Sequence, residues 1–465
     1  MRPSGMVLLA VLVAAPLTAQ GRPLTRWEQQ ARDLLQELVA QNTTESAGDM
    51  TAASEAMARH LRAAGFPAED VVVIESGAAR KGNLIVRYRG RNRALKPILL
   101  LSHLDVVEAN AEDWTLPPFT LTERDGIFYG RGVADDKDEG AIHLTILLRM
   151  KAEGFIPERD IVVALTTDEE GGPHNGVQWL LANRRDLVDA AYVLNEGGGG
   201  VLDGERRIAN SVQASEKKVL NLQLEVTNPG GHSSVPVPDN AITRLAAALV
   251  KIGGHAFPVH LNEVTRAYFT RTAAQAPPAL AAAMRALVAN EADPAAAAAV
   301  ARNPAHNARL RTTCVATLLE GGHARNALPQ RARATVNCRL LPDDDPGRVI
   351  AILQGVIGDP QVAITRIGET TDSPPSPLTP ALMRAIEEVT GELWPGVPVI
   401  PTMSTGATDG LYFRNAGIPV YGVSGLFYGE SNAHGMNERA PAQAFYEGLE
   451  FLYRLVRRLT GPGVT

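Results

Sequence analysis

The chain has 465 residues and 45% hydrophobic composition, too long for one compact core and ordinary for a globular protein, so two domains are expected. Its formal net charge is −6 and it has no long basic run, which argues against nucleic acid and anionic membrane surfaces as partners. Beyond the N-terminus nothing reads as a membrane span.

Arg2 precedes an apolar run from Met6 to Ala15, then Pro16 and the small-residue stretch Leu17-Thr18-Ala19-Gln20. The pattern predicts a signal peptide over residues 1–20, and hence a secreted or periplasmic protein. No cysteine follows the cleavage region to carry a lipid anchor.

Trp27, Ala31, Leu34, Leu35 and Leu38 recur at helical spacing, and a second helix is expected over 52–64, stopping at Gly65. Strands over 83–88 and 97–101, a helix over 138–153, a strand over 160–166, a helix over 176–183 and a strand over 190–194 follow. This alternation predicts an α/β domain with helices on both faces of a largely parallel sheet.

The middle of the chain changes pattern. A strand over 219–227, a helix over 240–252, strands over 311–320 and 331–340, a helix over 348–357 and a strand over 361–367 read as βαββαβ, an inserted ferredoxin-like α+β lid. An alanine-rich, helical insert occupies about 260–310. The only cysteines, Cys314 and Cys338, fall in strand-like segments; a disulfide and two buried thiols both remain open. The proline-rich stretch 370–380 reads as a linker, after which a helix from Ala381, a strand near 418–423 and a helix over 442–459 restore the α/β pattern. The expected division is therefore residues 21–213 with 372–465 as one α/β domain, and 214–371 as an inserted lid domain.

Five short stretches carry the chemistry. In Ser102-His103-Leu104-Asp105, the histidine ends an apolar strand, where open α/β sheets place their sites. Asp105 can accept a hydrogen bond from the second imidazole nitrogen and fix its tautomer. Gly130-Arg131-Gly132-Val133-Ala134-Asp135-Asp136-Lys137 puts carboxylates in a glycine-rich turn before a helix, where an isolated acid would be only a cap. In Asp168-Glu169-Glu170-Gly171, adjacent glutamates at a strand end repel unless a cation or proton intervenes. One can hold metal while its neighbour serves as base. Asn195-Glu196-Gly197 and Ala433-His434-Gly435 are weak alone. Together, two histidines and several carboxylates form a mixed nitrogen and oxygen donor set suited to zinc, with carboxylate bridging allowing two ions.

These five ordered motifs resemble those of the M20-type metallopeptidases, the group of carboxypeptidases, aminoacylases and succinyl-diaminopimelate desuccinylase, over essentially the whole mature chain. The resemblance implies that His103 and Glu196 bind one metal, Glu170 and His434 the other, and that Asp135 rather than Asp136 bridges them. It implies Glu169 as general base and Asp105 as the partner of His103. In the lid it implies an oxyanion role for His232 in Gly230-Gly231-His232-Ser233-Ser234, often across a dimer interface. It also implies substrate contacts for Asn326, Arg339 and the Thr405-Gly406 loop.

The expected activity is hydrolysis of an amide in N-acyl amino acids or short peptides with a free C-terminal carboxylate, by water activated between two Zn²⁺ ions (Co²⁺ or Mn²⁺ being alternatives). Glu196, and diffusely the lid insert, resemble the carboxypeptidase-S and aminoacylase side of the family. A non-specific dipeptidase and a catalytically silent binding protein are the rival readings.

Overall fold

The computed structural model describes residues 22–463, so the signal peptide expected over 1–20 lies outside the described residues. Nine strands form the main sheet. Its path runs Val71–Glu75, Gly82–Tyr88, Ile161–Thr166, Ile98–His103, Tyr192–Asn195, Val420–Gly422, Arg206–Glu216 and Val399–Ser404, with Gly200–Asp203 paired beside Arg206–Glu216. The four strands from Ile161–Thr166 to Val420–Gly422 are mutually parallel, while the Val71 edge joins antiparallel.

The central strands explain themselves. Ile98–His103 and Ile161–Thr166 are buried at every position, so both read as unbroken apolar runs rather than alternating ones. Successive side chains point to opposite faces. Ile98, Leu100, Val163 and Leu165 enter one core with helices Arg26–Ala40, Lys137–Ala152 and Ala442–Thr460. Leu99, Leu101, Val162 and Ala164 enter a second core with helices Gly176–Asn183 and Gly410–Asn415. Truncating one of these leucines to alanine would cost about 2–5 kcal/mol, because neither core can collapse around the cavity.

The second sheet has four antiparallel strands in the order Thr313–Gly321, Arg331–Leu340, Lys218–Thr227, Ala363–Ile367. With helices Ala241–Gly254 and Pro346–Ile357 it closes its own apolar core on one face. Alternation in Arg331–Leu340 sends Ala332, Ala334, Val336, Cys338 and Leu340 into that core and leaves Arg333, Thr335, Asn337 and Arg339 on the other face. Cys314 and Cys338 sit opposite each other in register and are joined by a disulfide.

Three features differ from the expectations. The strands Val71–Glu75, Gly200–Asp203, Arg206–Glu216 and Val399–Ser404 had no expected counterpart, and all belong to the main sheet. The passage into the second sheet comes at Lys217, past the expected boundary at 213–214, because Arg206–Glu216 pairs with Val399–Ser404 to its end. The insert also reaches beyond the lid: Val264 joins the main core, and Arg271 donates to Val399 O at 2.7 Å and pairs with Glu387 at 2.7 Å. Helix Glu263–Thr272 thereby covers the strand Val399–Ser404, an otherwise open sheet edge. Among the described residues no helix is long and apolar enough to cross a membrane.

Candidate metal centre

The parallel register places the C-terminal ends of three neighbouring strands together. His103 is level with Thr166, whose strand runs on into Glu169 and Glu170, and Tyr192–Asn195 delivers Glu196 beside them. His103, Asp135 and Glu170 form one group whose donor atoms lie within 4.8 Å of one another, and His103, Glu169 and Glu196 form another. His434 joins the first group, with Nε2 at 2.9 Å from Asp135 Oδ2 and 2.9 Å from Glu170 Oε1.

Asp135 stands between the histidines. Its Oδ1 lies 3.1 Å from His103 Nε2 and its Oδ2 faces His434 Nε2. Asp136 points elsewhere, its Oδ2 accepting from the buried backbone N–H of His103 at 3.2 Å. The two adjacent acids are thus separated by geometry: one bridges the cluster and the other braces the strand behind it.

Asp105 departs from its expected contact. The second ring nitrogen of His103, Nδ1, lies 2.9 Å from the backbone carbonyl of Asp105 and 3.8 Å from its carboxylate. The carboxylate instead turns to the next loop, where Oδ2 accepts from Glu170 N at 2.9 Å. The other carboxylate oxygen stays 3.8 Å from the ring, whose Nδ1 is taken by the closer main-chain carbonyl at the strand's end. Asp105 Oδ1 is buried without a hydrogen-bond partner among the described residues.

The charges are unbalanced. Burial pushes the Glu169 carboxyl well above its usual range, with Asp409 and Glu170 adding repulsion against the pull of His103. Burial does the same to Glu196, with Glu169 adding. Glu170 is pushed up to about 7, first by burial and then by Asp135. Burial also opposes ionisation of Asp135, but hydrogen bonds from both imidazoles override it and hold its carboxyl low. Acids this close, sharing two imidazoles and leaving one buried oxygen unpartnered, fit divalent cations held by nitrogen and oxygen donors.

The supporting loops carry strain. Asp168, just before Glu169, has φ 60°, and its carboxylate is held by Lys81 Nζ at 2.6 Å and by His174 N at 3.1 Å. Asp409 is buried at 4% exposure, and Asn175 reaches its Oδ1 at 2.6 Å and Asp168 O at 3.0 Å. Burial raises Asp409 to about 7. Asp168 was quoted only as part of its motif, and Lys81, Asn175 and Asp409 were given no role from the sequence; Lys81 and Asp409 meet their partners 87 and 234 residues away.

The lid residues stand apart from this cluster. His232 is exposed, paired with Ala327 across a two-stranded ribbon, and its Nδ1 accepts from Ser234 Oγ at 2.7 Å. Asn326 adjoins it, its carbonyl accepting from Ser233 N at 3.0 Å. Arg339 lies on the outer face of the lid sheet, with Nε donating to Asn337 Oδ1 at 3.3 Å. Thr405 is exposed, and Gly406 N donates to Ser404 Oγ at 3.0 Å. No described hydrogen bond or ion pair joins His232, Asn326 or Arg339 to the cluster.

The profile of Peptidase family M20/M25/M40 matches residues 99–458. The N-fatty-acyl-amino acid synthase/hydrolase of Xenopus tropicalis is 31% identical over 384 residues, 80% of this chain and 74% of that protein. A probable carboxypeptidase S-like protein of Dictyostelium discoideum is 29% identical, over 81% of this chain and 74% of that protein. Among solved structures, an M20-family metallo-carboxypeptidase from Sulfolobus solfataricus superposes with a TM-score of 0.69 at 20% identity, covering 92% of this chain and 98% of that one. Human carnosine dipeptidase 1 superposes at 0.63 and 14% identity, covering 93% and 97%.

Proposed function

We propose that this chain, which belongs to Peptidase family M20/M25/M40 and is a metallohydrolase, cleaves the amide bond of N-acyl amino acids or short peptides that bear a free C-terminal carboxylate. The observation that carries this reading is Asp135 set between His103 and His434, with Glu196 and Glu170 on the two sides. His103 and Glu196 would hold one metal, Glu170 and His434 the second, and Asp135 both. Zinc suits these donors, with Co²⁺ or Mn²⁺ also compatible. The metals would supply Lewis acidity toward the scissile carbonyl and the attacking water. Glu169, which makes no ion pair among the described residues, takes the proton from that water and returns it to the leaving amine. Asp105 fixes the loop of Glu170 through its backbone N–H.

The acyl-amino-acid reading draws on the named activity of the Xenopus relative, and the short-peptide reading on the carboxypeptidase-like ones. Arg339 is the candidate partner of the substrate carboxylate, with Asn326, Thr405 and Gly406 as further contacts. His232 is the candidate oxyanion donor. Because it touches nothing of the cluster in its own chain, a homodimer through the lid is the arrangement that brings it into play. The edge strand Thr313–Gly321 supports this, exposing Val315, Leu318 and Leu319 at 60%, 63% and 69% beside Val250 at 76%. Export is proposed from the N-terminal pattern, and a disulfide suits an oxidising compartment.

Metal-reconstituted protein assayed against N-acyl amino acids, dipeptides and their C-terminally amidated counterparts tests the substrate claim. Cleavage confined to free carboxylates is the expected result; equal cleavage of amidated substrates overturns it.

A further inference from the structure

Glu438 follows His434 by one turn of loop and its side chain is fully buried. Its carboxylate accepts from Ala134 N at 2.9 Å, from Gly132 N at 3.1 and 3.2 Å, and from Arg131 at 2.7 Å. Its carbonyl accepts from Gly130 N at 3.2 Å. The other end of the Arg131 guanidinium donates to Gly435 O at 3.1 Å and His434 O at 3.4 Å, and the group lies 5.1 Å over the Trp114 ring. One buried ion pair therefore binds the turn that carries Asp135 to the loop that carries His434.

That loop needs such support. Asn432, His434 and Asn437 have φ of 55°, 61° and 54°, left-handed conformations that a side chain resists. His434 is 56% exposed, and no described hydrogen bond holds its Nδ1, whereas His103 is fixed through its own Nδ1. Ring orientation at a metal-ligating histidine is normally set through that second nitrogen. At His434 the backbone must do it: Arg131 holds the His434 and Gly435 carbonyls and pairs with Glu438, while bonds from Gly435 N to Asn432 O and from Arg439 N to Ser431 O close the loop and Thr115 donates to the Asn437 side chain.

We infer that Glu438, acting with Arg131, is a positioning residue for the Asp135–Glu170–His434 half of the centre and sets how tightly that half retains its metal. The inference rests on the two-metal reading above. Metal-stripped full-length protein titrated with Zn²⁺ by calorimetry tests it, comparing wild type, Glu438→Gln and Arg131→Lys. The expected result is two bound ions in wild type, with the weaker affinity reduced about 10–100-fold in Glu438→Gln and the tighter one unchanged. Excess Zn²⁺ should then restore turnover by refilling the weakened half. Retention of the tighter ion reports in the same sample that the variant is folded. Should Glu438→Gln fail to fold, Arg131→Lys keeps the charge but loses the fork that reaches His434 O and Gly435 O, and should show the same selective loss. An unchanged weaker affinity, or equal loss of both, overturns the assignment. A wild type that binds a single ion overturns the two-metal reading instead.

Discussion

The two halves of the centre are built from different materials. His103 is 3% exposed at the end of a central strand, with Glu196 beside it at the end of the neighbouring one. These positions are set by two apolar cores that lie above and below the sheet. His434 stands on a strained, exposed loop held by the buried Arg131–Glu438 ion pair. A ligand on a strand end takes its rigidity from the core, whereas a ligand on a loop needs added polar contacts, each of which a single substitution can remove.

The comparison is most sharply broken at the histidines. His103→Ala removes a ligand of the strand-borne metal and the contact that holds Asp135, the acid assigned to both ions, at 3.1 Å, so it should abolish turnover and strip both metals. His434→Ala should strip one and leave the strand-borne site occupied. Elemental analysis after gel filtration distinguishes the two, and equal loss in both variants would erase the distinction between the halves. Next in size, Glu169→Gln should lower kcat by about 10²–10⁴-fold with metal content unchanged, as expected for loss of a proton carrier rather than of a ligand. Loss of metal would reassign Glu169 as a ligand.

Further from the cluster, Arg414 pairs with Glu216 at 2.9 Å, their side chains 2% and 0% exposed. Glu216 in turn accepts from Thr408 and Ser373, tying the loop of Thr405 and Gly406 to the linker. Arg414→Met should destabilise folding by about 3–5 kcal/mol, read by chemical denaturation, by leaving Glu216 buried and unpaired. It should leave the ratio of the two metal affinities alone, since it touches neither half. Smallest in its effect on a single subunit, Leu318→Asp should shift the protein toward monomer in sedimentation while the chain stays folded, because Leu318 is 63% exposed. An unchanged sedimentation coefficient would argue against pairing through the lid edge.

The strand-borne half was legible in the sequence for the same reason that it is rigid. Leu99-Leu100-Leu101 ahead of His103, and Ile161 to Leu165 ahead of the Glu169-Glu170 pair, announce buried strands with polar ends. The antiparallel lid sheet was legible through the alternation of residues 219–227, which pair with Arg331–Leu340. The strands Arg206–Glu216 and Val399–Ser404 were not, for each is polar or proline-bearing and owes its conformation to pairing with the other. Glu438 lies four residues past His434 yet had no readable role, because its partner Arg131 is remote in sequence and no local spacing links them. The contact of His103 with the Asp105 carbonyl was hidden for another reason: sequence names side chains, and here the backbone accepts the bond.

The most direct test of the account adds Zn²⁺ stepwise to metal-stripped full-length protein and follows both binding and hydrolysis of an N-acyl amino acid. Two unequal binding steps are predicted, the tighter at His103 and Glu196, with turnover rising as the second fills. Two bound ions with no turnover on any acyl amino acid or peptide, in a protein that remains folded, would contradict it.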